Sequence, residues 1–530
     1  MNIKNNKIEL YDTTLRDGTQ QEGISLSVQD KLLITEKLDD FGIHYIEGGW
    51  PGSNPKDAKF FTEAKKLSLK NSQLVAFSST RRVNTNVEKD INMQTLLEAE
   101  TPVVTLVGKS WDLHVTDVLE TTLKENLSMI SDSISFLEKR GRKVVFDAEH
   151  FFDGYKANKE YALKCLLVAE ESGVSCLALC DTNGGTLPHE ISEIVKVIRS
   201  LTTCQIGIHA HNDTETAVAS SLIALQSGAT QIQGTVNGYG ERCGNANLLT
   251  IIGNLHLKLG INVIDPQQLE SLTELSNFVS EIANLPHNQF QPYVGKSAFV
   301  HKAGLHASAV SKVRHSYQHI EPNDVGNSTR VVISELSGRS NIRQKLNEIG
   351  LEASSEMEKI LIDIIKDKEN LGFQYDEAEA SFEMLYHKSQ SYYEQPFEII
   401  DLLLVEKHGR YTEFYDLNLI SEVTVKVKVG EEIIHTAASG NGPVNALDAA
   451  LRKGLKEFFP ALSQVKLTDY KVRVIDQGGG SDATVRVLVE STDGQETWRT
   501  VGCSPNIIEA SMQALVDSLE WWLRRHQITN

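Results

Sequence analysis

Cysteine is sparse in this 530-residue chain: six residues, at positions 165, 176, 180, 204, 243 and 503, with no C-x-x-C pair among them. That excludes a disulfide-stapled miniprotein, and Cys176 and Cys180 sit in an apolar run that reads as a buried strand, so all six read as reduced thiols of a cytosol-like compartment. Basic residues are outnumbered, 52 Lys plus Arg against 71 Asp plus Glu, for a formal charge of −19. A surface that acidic repels phosphate backbones, so neither nucleic acid nor an anionic membrane is an expected partner. Long hydrophobic runs are missing as well. No stretch approaches the roughly 18–20 uninterrupted apolar residues of a membrane span, and the opening MNIKNNKIEL lacks the apolar segment of a secretion signal, which leads us to expect a soluble, cytoplasmic protein. Glycine patterns of the Walker or Rossmann type are absent from strand-to-helix contexts, so nucleotide hydrolysis and hydride transfer have no support. What is present, 40% hydrophobic and 23% charged residues, excludes disorder and collagen and suits two or three domains.

Short apolar, β-branched runs recur through the first half: Ile8–Tyr11, His44–Glu47, Leu74–Phe77, Val103–Val107, Lys143–Phe146, Cys176–Cys180, Gln205–His209 and Gln231–Val236. Helical patterns lie between them. In SVQDKLLITEKLDDFG, Ser27 can cap with Asp30, Ile34, Leu38 and Phe41 line one face, and Gly42 ends the helix. Strands alternating with helices imply parallel pairing, since parallel neighbours need a crossover. Eight such units in about 240 residues match a (β/α)8 TIM barrel, with a doubly wound open sheet as the alternative.

A barrel puts its active site at the C-terminal ends of its strands, and those ends are polar here. Strand one runs into Arg16 and Asp17, strand four into Lys109, Asp112 and His114, and strand five into Asp147, Glu149 and His150. Strand six runs into Asp181 and Thr182, strand seven into His209, His211 and Asp213, and strand eight into Glu241, Arg242 and Asn245. In IGIHAHND, residues two apart project to one side, so His209 and His211 can share a metal, with Asp17 and Asn245 available from strands one and eight. His and carboxylate ligation without thiolate suits Mg²⁺, Mn²⁺ or Zn²⁺. The guanidinium of Arg16 offers fixed donors beside such an ion. Glu149 and Glu47 are either bases or braces of the barrel.

YDTTLRDGTQ, GIHAHND and GYGERCGNAN together resemble the acyl-CoA Claisen condensation enzymes of the DRE-TIM metallolyase superfamily, which includes the 2-isopropylmalate, homocitrate and citramalate synthases. The stretches EGGWPGSNPKD, GKSWDLH, HKAGLH and SELSGRSN are most similar to the citramalate-forming branch. The resemblance covers essentially the whole chain. It implies condensation of acetyl-CoA with a 2-oxo acid, pyruvate in that branch, followed by thioester hydrolysis. It further implies that Asp17, His209 and His211 bind a divalent metal with Asn245 near it, that Arg16 and Thr182 contact the oxo acid, and that Glu149 and His114 line the site. His306 is implied as a catalytic histidine presented by the neighbouring subunit of a homodimer. The alternatives are 2-isopropylmalate synthesis from 2-oxoisovalerate and a lyase of the hydroxymethylglutaryl-CoA type; a long regulatory-looking tail weighs against the lyase. The intact set of Arg16, Asp17, His209 and His211 weighs against a mere amino-acid sensor. Two positions depart from the family: Thr19, where many relatives carry Glu, and Thr329, where isopropylmalate synthases tend to place a tyrosine. Phe77, Leu106 and Phe146 are bulky candidates for restricting the acceptor pocket.

The tail changes rhythm. VTVKVKV (423–429) and ATVRVLVE (483–490) alternate with period two, as half-exposed antiparallel strands do. ASGNGPVNALDAAL and TVGCSPNIIEASMQAL then repeat a turn and helix, with Asn445 and Asn506 matched at an offset of 61 residues, so the tail reads as two βββα units. It resembles the regulatory domain of this family, which implies a branched-chain amino acid as effector, isoleucine for the citramalate branch. The glycine-rich turn DQGGGSD (476–482) is either a ligand approach or a loop. The expected division is a catalytic barrel over 1–285, a helical linker carrying HKAGLH over 286–404, and a C-terminal α+β regulatory and dimerisation domain over 405–530.

Overall fold

A computed structural model of the chain describes residues 7–302, 306, 309–310, 313–407, 420–475 and 483–527. Eight parallel strands close into a barrel in sequence order: β1 (Glu9–Asp12), β2 (Tyr45–Gly49), β3 (Gln73–Ser79), β4 (Val103–Lys109), β5 (Lys143–Glu149), β6 (Cys176–Asp181), β7 (Gln205–Ala210) and β8 (Gln231–Gly234). The closing seam pairs Glu9 with Gln231 and Asp12 with Gly234. The closed barrel, and not the open sheet, is the architecture. The Val28–Phe41 helix starts with the expected reciprocal Ser27–Asp30 capping box and ends at Gly42 with φ 94°, a left-handed conformation that glycine adopts without a Cβ penalty.

Alternation along the strands sorts side chains into two layers. Inside, Tyr11, Tyr45, Val75, Val103, Val145, Cys176 and Ala178 pack on one another as an apolar floor. Outside, Leu10, Ile46, Leu106, Phe146, Leu177 and Ile208 join the large core under the helices. One pleat above the floor the interior becomes polar, with Glu47, Thr105, Asp147, His209 and Gln233 all buried.

Two compact units divide the chain, one formed by Met1–Phe299 with Ile320–Ser328, the other by Val300–His319 with Thr329–Asn530. The barrel unit therefore runs past 285, because Tyr293, Val294 and Phe299 are buried in its core. In the second unit, a parallel pair of β9 (Val300–His301) and β10 (Arg330–Val331) is followed by three helices, Arg339–Glu348, Ser355–Asn370 and Glu379–Lys388. Two antiparallel three-stranded sheets follow, each trailed by a helix: β11 (Glu398–Lys407), β12 (Ile420–Val429) and β13 (Glu432–Gly440) before Pro443–Leu455, then β14 (Lys466–Val474), β15 (Val485–Thr492) and β16 (Thr497–Ser504) before Ile507–Arg525.

The duplication is as expected, but two details differ from the sequence reading. The first repeat begins at Glu398 and not at 405, and Ala380 and Met384 of the preceding helix share its core. The offset of the strand-and-helix segment is 64 residues rather than 61: helix N-caps Gly442 and Asn506 correspond, as do the buried pairs Val423/Val487, Ala446/Ala510 and Leu451/Leu515. Asn445 lies inside its helix while Asn506 caps the next one, so matching asparagines misled where matching buried faces succeed. The 476–482 turn lies outside the described residues. Among those residues no helix is long and apolar enough to cross a membrane, and all six cysteines are free thiols.

Candidate active site

Three ligand-type residues converge at the C-terminal mouth. Asp17 sits on a tight turn in which the Arg16, Asp17 and Gly18 amides all donate to the Thr13 carbonyl, and Thr19 Oγ1 closes the turn by donating to the Arg16 carbonyl at 2.7 Å. Its Oδ2 lies 3.2 Å from His209 Nε2 and 3.7 Å from His211 Nε2. Two donors at roughly 2.1 Å from one ion, at right angles, are separated by about 3 Å, so this spacing suits a shared divalent cation. The burial of all three residues also fits a site that excludes competing water.

An unpaired polar atom strengthens the match. Among the described residues Asn245 Oδ1 is buried without a hydrogen-bond partner, a cost that a ligand offsets. An isolated bridge between His211 and Asn245 joins the two loops, and the β8 loop wraps Asn245 so closely that a Cβ at Gly240 (φ 156°) would lie 2.2 Å from its Nδ2. Electrostatics agree. Burial alone would raise the Asp17 carboxyl, but Arg16 and the two imidazoles outweigh it and hold the group well below the usual carboxylate range. Burial and the neighbouring His209 push His211 down to about 4, so it presents a neutral ring. The residues present fit Mg²⁺, Mn²⁺ or Zn²⁺.

Beneath this cluster, Arg16 is fixed rather than free. Its Nε donates to Glu47 Oε1 at 2.5 Å, its Nη1 lies 3.6 Å from Asp17 Oδ2, and its guanidinium stacks 3.9 Å over the Phe77 ring. Glu47 also accepts from Tyr11 Oη at 2.6 Å, and Tyr11 in turn meets Thr105 Oγ1 at 2.7 Å. Glu47 is thus a brace of Arg16, not a free base. A buried pair of this kind orients its arginine and leaves the outer guanidinium donors for a ligand.

Glu149, His114 and Thr182 follow or end strands β4 to β6 at the same end of the barrel. Glu149 pairs with Lys109. Thr182 Oγ1 accepts from the His150 amide at 2.8 Å, with His150 held in the left-handed region at φ 51°. The His150 ring lies 4.5 Å from that of His114, which stacks on Trp111. Burial and His150 lower the His114 imidazole. Arg242 ties the loops after three strands together by gripping Asp213 at 2.8 and 3.0 Å and the Thr182 carbonyl at 2.8 Å. His306 belongs to the second unit, where its exposed ring stacks on Tyr317 at 4.3 Å, and residues 303–305 of HKAGLH lie outside the described ones. Thr329, at the other departure from the family, accepts from Gln318 Nε2 at 2.7 Å.

Of the pocket-restricting candidates, Phe77 faces the interior, but Leu106 and Phe146 do not. Both are fully buried in the outer core under the helices, because they have the opposite strand parity to Thr105 and Asp147. The sequence reading passed over Gln233, Tyr11 and Thr105. Their signal was a polar or hydroxylated residue at an inward position of an otherwise apolar strand.

Three family models divide the chain among them: HMGL-like over residues 7–279, homocitrate synthase post-HMGL domain-like over 293–371, and LeuA allosteric (dimerisation) domain over 378–523. The chain is 53% identical over 529 residues to an (R)-citramalate synthase of Aquifex aeolicus, covering 98% of each. It is 50% identical to those of Geobacter sulfurreducens, with 98% of each covered, and Synechocystis, with 99% of this chain and 97% of the relative covered.

Proposed function

Because the chain belongs to the (R)-citramalate synthase family, within the HMGL-like group, we propose that it condenses acetyl-CoA with pyruvate and water to give (R)-citramalate and CoA. The observation that carries this reading is the meeting of Asp17, His209 and His211 at the barrel mouth, with Asn245 bridged to His211 and its side-chain oxygen without a hydrogen-bond partner among the described residues. Asp17, His209 and His211 would hold the ion, with Asn245 beside them; when bound, a divalent ion polarises the ketone of a chelating 2-oxo acid as a Lewis acid.

The chain's own residues do the rest. Arg16, oriented by Glu47 and Phe77, presents its outer guanidinium donors to the developing alkoxide and carboxylate oxygens. The Thr182 oxygen is occupied by the His150 N–H, so its hydroxyl proton is free to donate to the acceptor's carboxylate. The acetyl methyl must lose a proton before its carbon bonds to pyruvate C2. Glu149 is engaged by Lys109, so we assign that proton to His306 of the partner subunit, with Glu149 and His114 lining the thioester side. Water then breaks the C–S bond and releases CoA.

The match to an allosteric and dimerisation domain over 378–523 supports a homodimer under feedback control. Isoleucine is the effector we assign, as the amino acid whose carbon skeleton citramalate would begin in isoleucine biosynthesis. The six free thiols support a cytoplasmic location. CoA-thiol release by the metal-loaded chain, measured across a panel of 2-oxo acids, tests the reading. Pyruvate should give the highest kcat/KM, and a higher value for 2-oxoisovalerate would refute it.

A further inference from the structure

We propose that Gln233 is a positioning residue: with Asp147 it forms a carboxylate–amide–imidazole relay that fixes the tautomer and ring orientation of His209, so that Nε2 is the ligand atom.

The register makes His209 and Gln233 direct neighbours across β7 and β8, with both side chains inside the barrel and buried. His209 Nδ1 meets Gln233 Oε1 at 3.0 Å, and Gln233 Nε2 reaches Asp147 Oδ1 at 2.9 Å. The orientation of the amide follows from its surroundings. Its nitrogen end faces the Asp147 carboxylate, which when ionised can only accept, and an amide offers donors only from nitrogen. The carbonyl end must then face the imidazole, so Nδ1 carries the hydrogen. The lone pair is left on Nε2, the atom that lies 3.2 Å from Asp17. A metal-bound imidazole whose other nitrogen is held in this way is oriented and made more basic, and loss of the outer partner weakens metal binding by about 10–100-fold. Here the partner is an amide placed between the imidazole and the carboxylate. Asp147 has no ion-pair partner among the described residues, and its chief contact is this amide, so the relay accounts for a carboxylate that the reaction itself does not use.

The proposal rests on the assignment of Asp17, His209 and His211 as a metal site, and Mn²⁺ binding followed by electron paramagnetic resonance on the full chain separates the two. Gln233→Leu keeps the volume but removes the relay and should bind Mn²⁺ about 10–100-fold more weakly than wild type. The double variant Asp147→Asn with Gln233→Glu reverses the polarity: the new carboxylate can accept from both His209 Nδ1 and the new amide, so affinity should return to within about threefold of wild type. Wild-type affinity in Gln233→Leu, or a double variant as weak as Gln233→Leu, would overturn the relay while leaving the metal site standing. Failure of the wild-type chain itself to bind Mn²⁺, or binding that His211→Ala does not disturb, would overturn the metal site and the relay with it.

Discussion

The floor of the barrel and the layer one pleat above it come from the same strands, yet they solve opposite problems. At Tyr45, Val75, Val103 and Val145 the interior is close-packed and apolar. Two residues further along each strand, Glu47, Phe77, Thr105 and Asp147 take their places, and His209 and Gln233 complete the upper layer from β7 and β8. Asp147 shows the cost of that upper layer: burial and the nearby Glu47 push its carboxyl up to about 6. The floor is stabilised chiefly by burial and close packing, whereas the upper layer requires every polar group to be matched, by Arg16, Tyr11, Gln233 or a bound ion. The floor should therefore fail through loss of stability, the upper layer through loss of ligand and rate.

Substitutions at the top should produce the largest effects. Asp17→Ala, His209→Ala and His211→Ala should each lower turnover by at least about 10³-fold with an unchanged far-ultraviolet spectrum, and EDTA should reproduce the loss reversibly on readdition of metal. Wild-type turnover in any of them would remove that residue from the site. Glu47→Gln lies between the two regimes, since it strips the charge from the partner of Arg16. It should destabilise the metal-free chain by about 3 kcal/mol and also slow the reaction, as thermal melting and steady-state kinetics will show.

Val145→Ala, one pleat below Asp147, should cost roughly 2 kcal/mol of stability yet leave Mn²⁺ affinity within about twofold of wild type; a larger change in affinity would mean that the floor also shapes the site. The smallest effect concerns the tail. Isoleucine should inhibit the intact chain through a coupling of on the order of 1–2 kcal/mol between two states, and a chain ending at residue 377 should be insensitive whatever activity it retains. Stronger inhibition by leucine in initial-rate assays would contradict the assignment of the effector.

Much of this was legible in the residues. All eight strands fall on the short apolar runs that predict them, because the helices between them carry their own start and stop signals, such as Ser27 and Gly42 around Val28–Phe41. His209 and His211 were legible because the period of a strand fixes which residues share a side. The same period explains the failures. A one-residue uncertainty in position reverses the face, which is why the sequence suggests Leu106 and Phe146 for the pocket although both pack outward. The pairing of Gln233 on β8 with Asp147 on β5 depends on barrel closure, and that of Lys109 with Glu149 on the register between β4 and β5, and neither leaves a local trace. In the tail, two asparagines three residues out of equivalence outweighed the buried alanines and leucines that define the true offset of 64.

The most direct test is a competition in one vessel: the metal-loaded full-length chain, acetyl-CoA, and equal concentrations of pyruvate and 2-oxoisovalerate, with products identified by mass. The account predicts that citramalate dominates and that EDTA stops its formation. A predominance of 2-isopropylmalate, or citramalate formed at the same rate without metal, would contradict it.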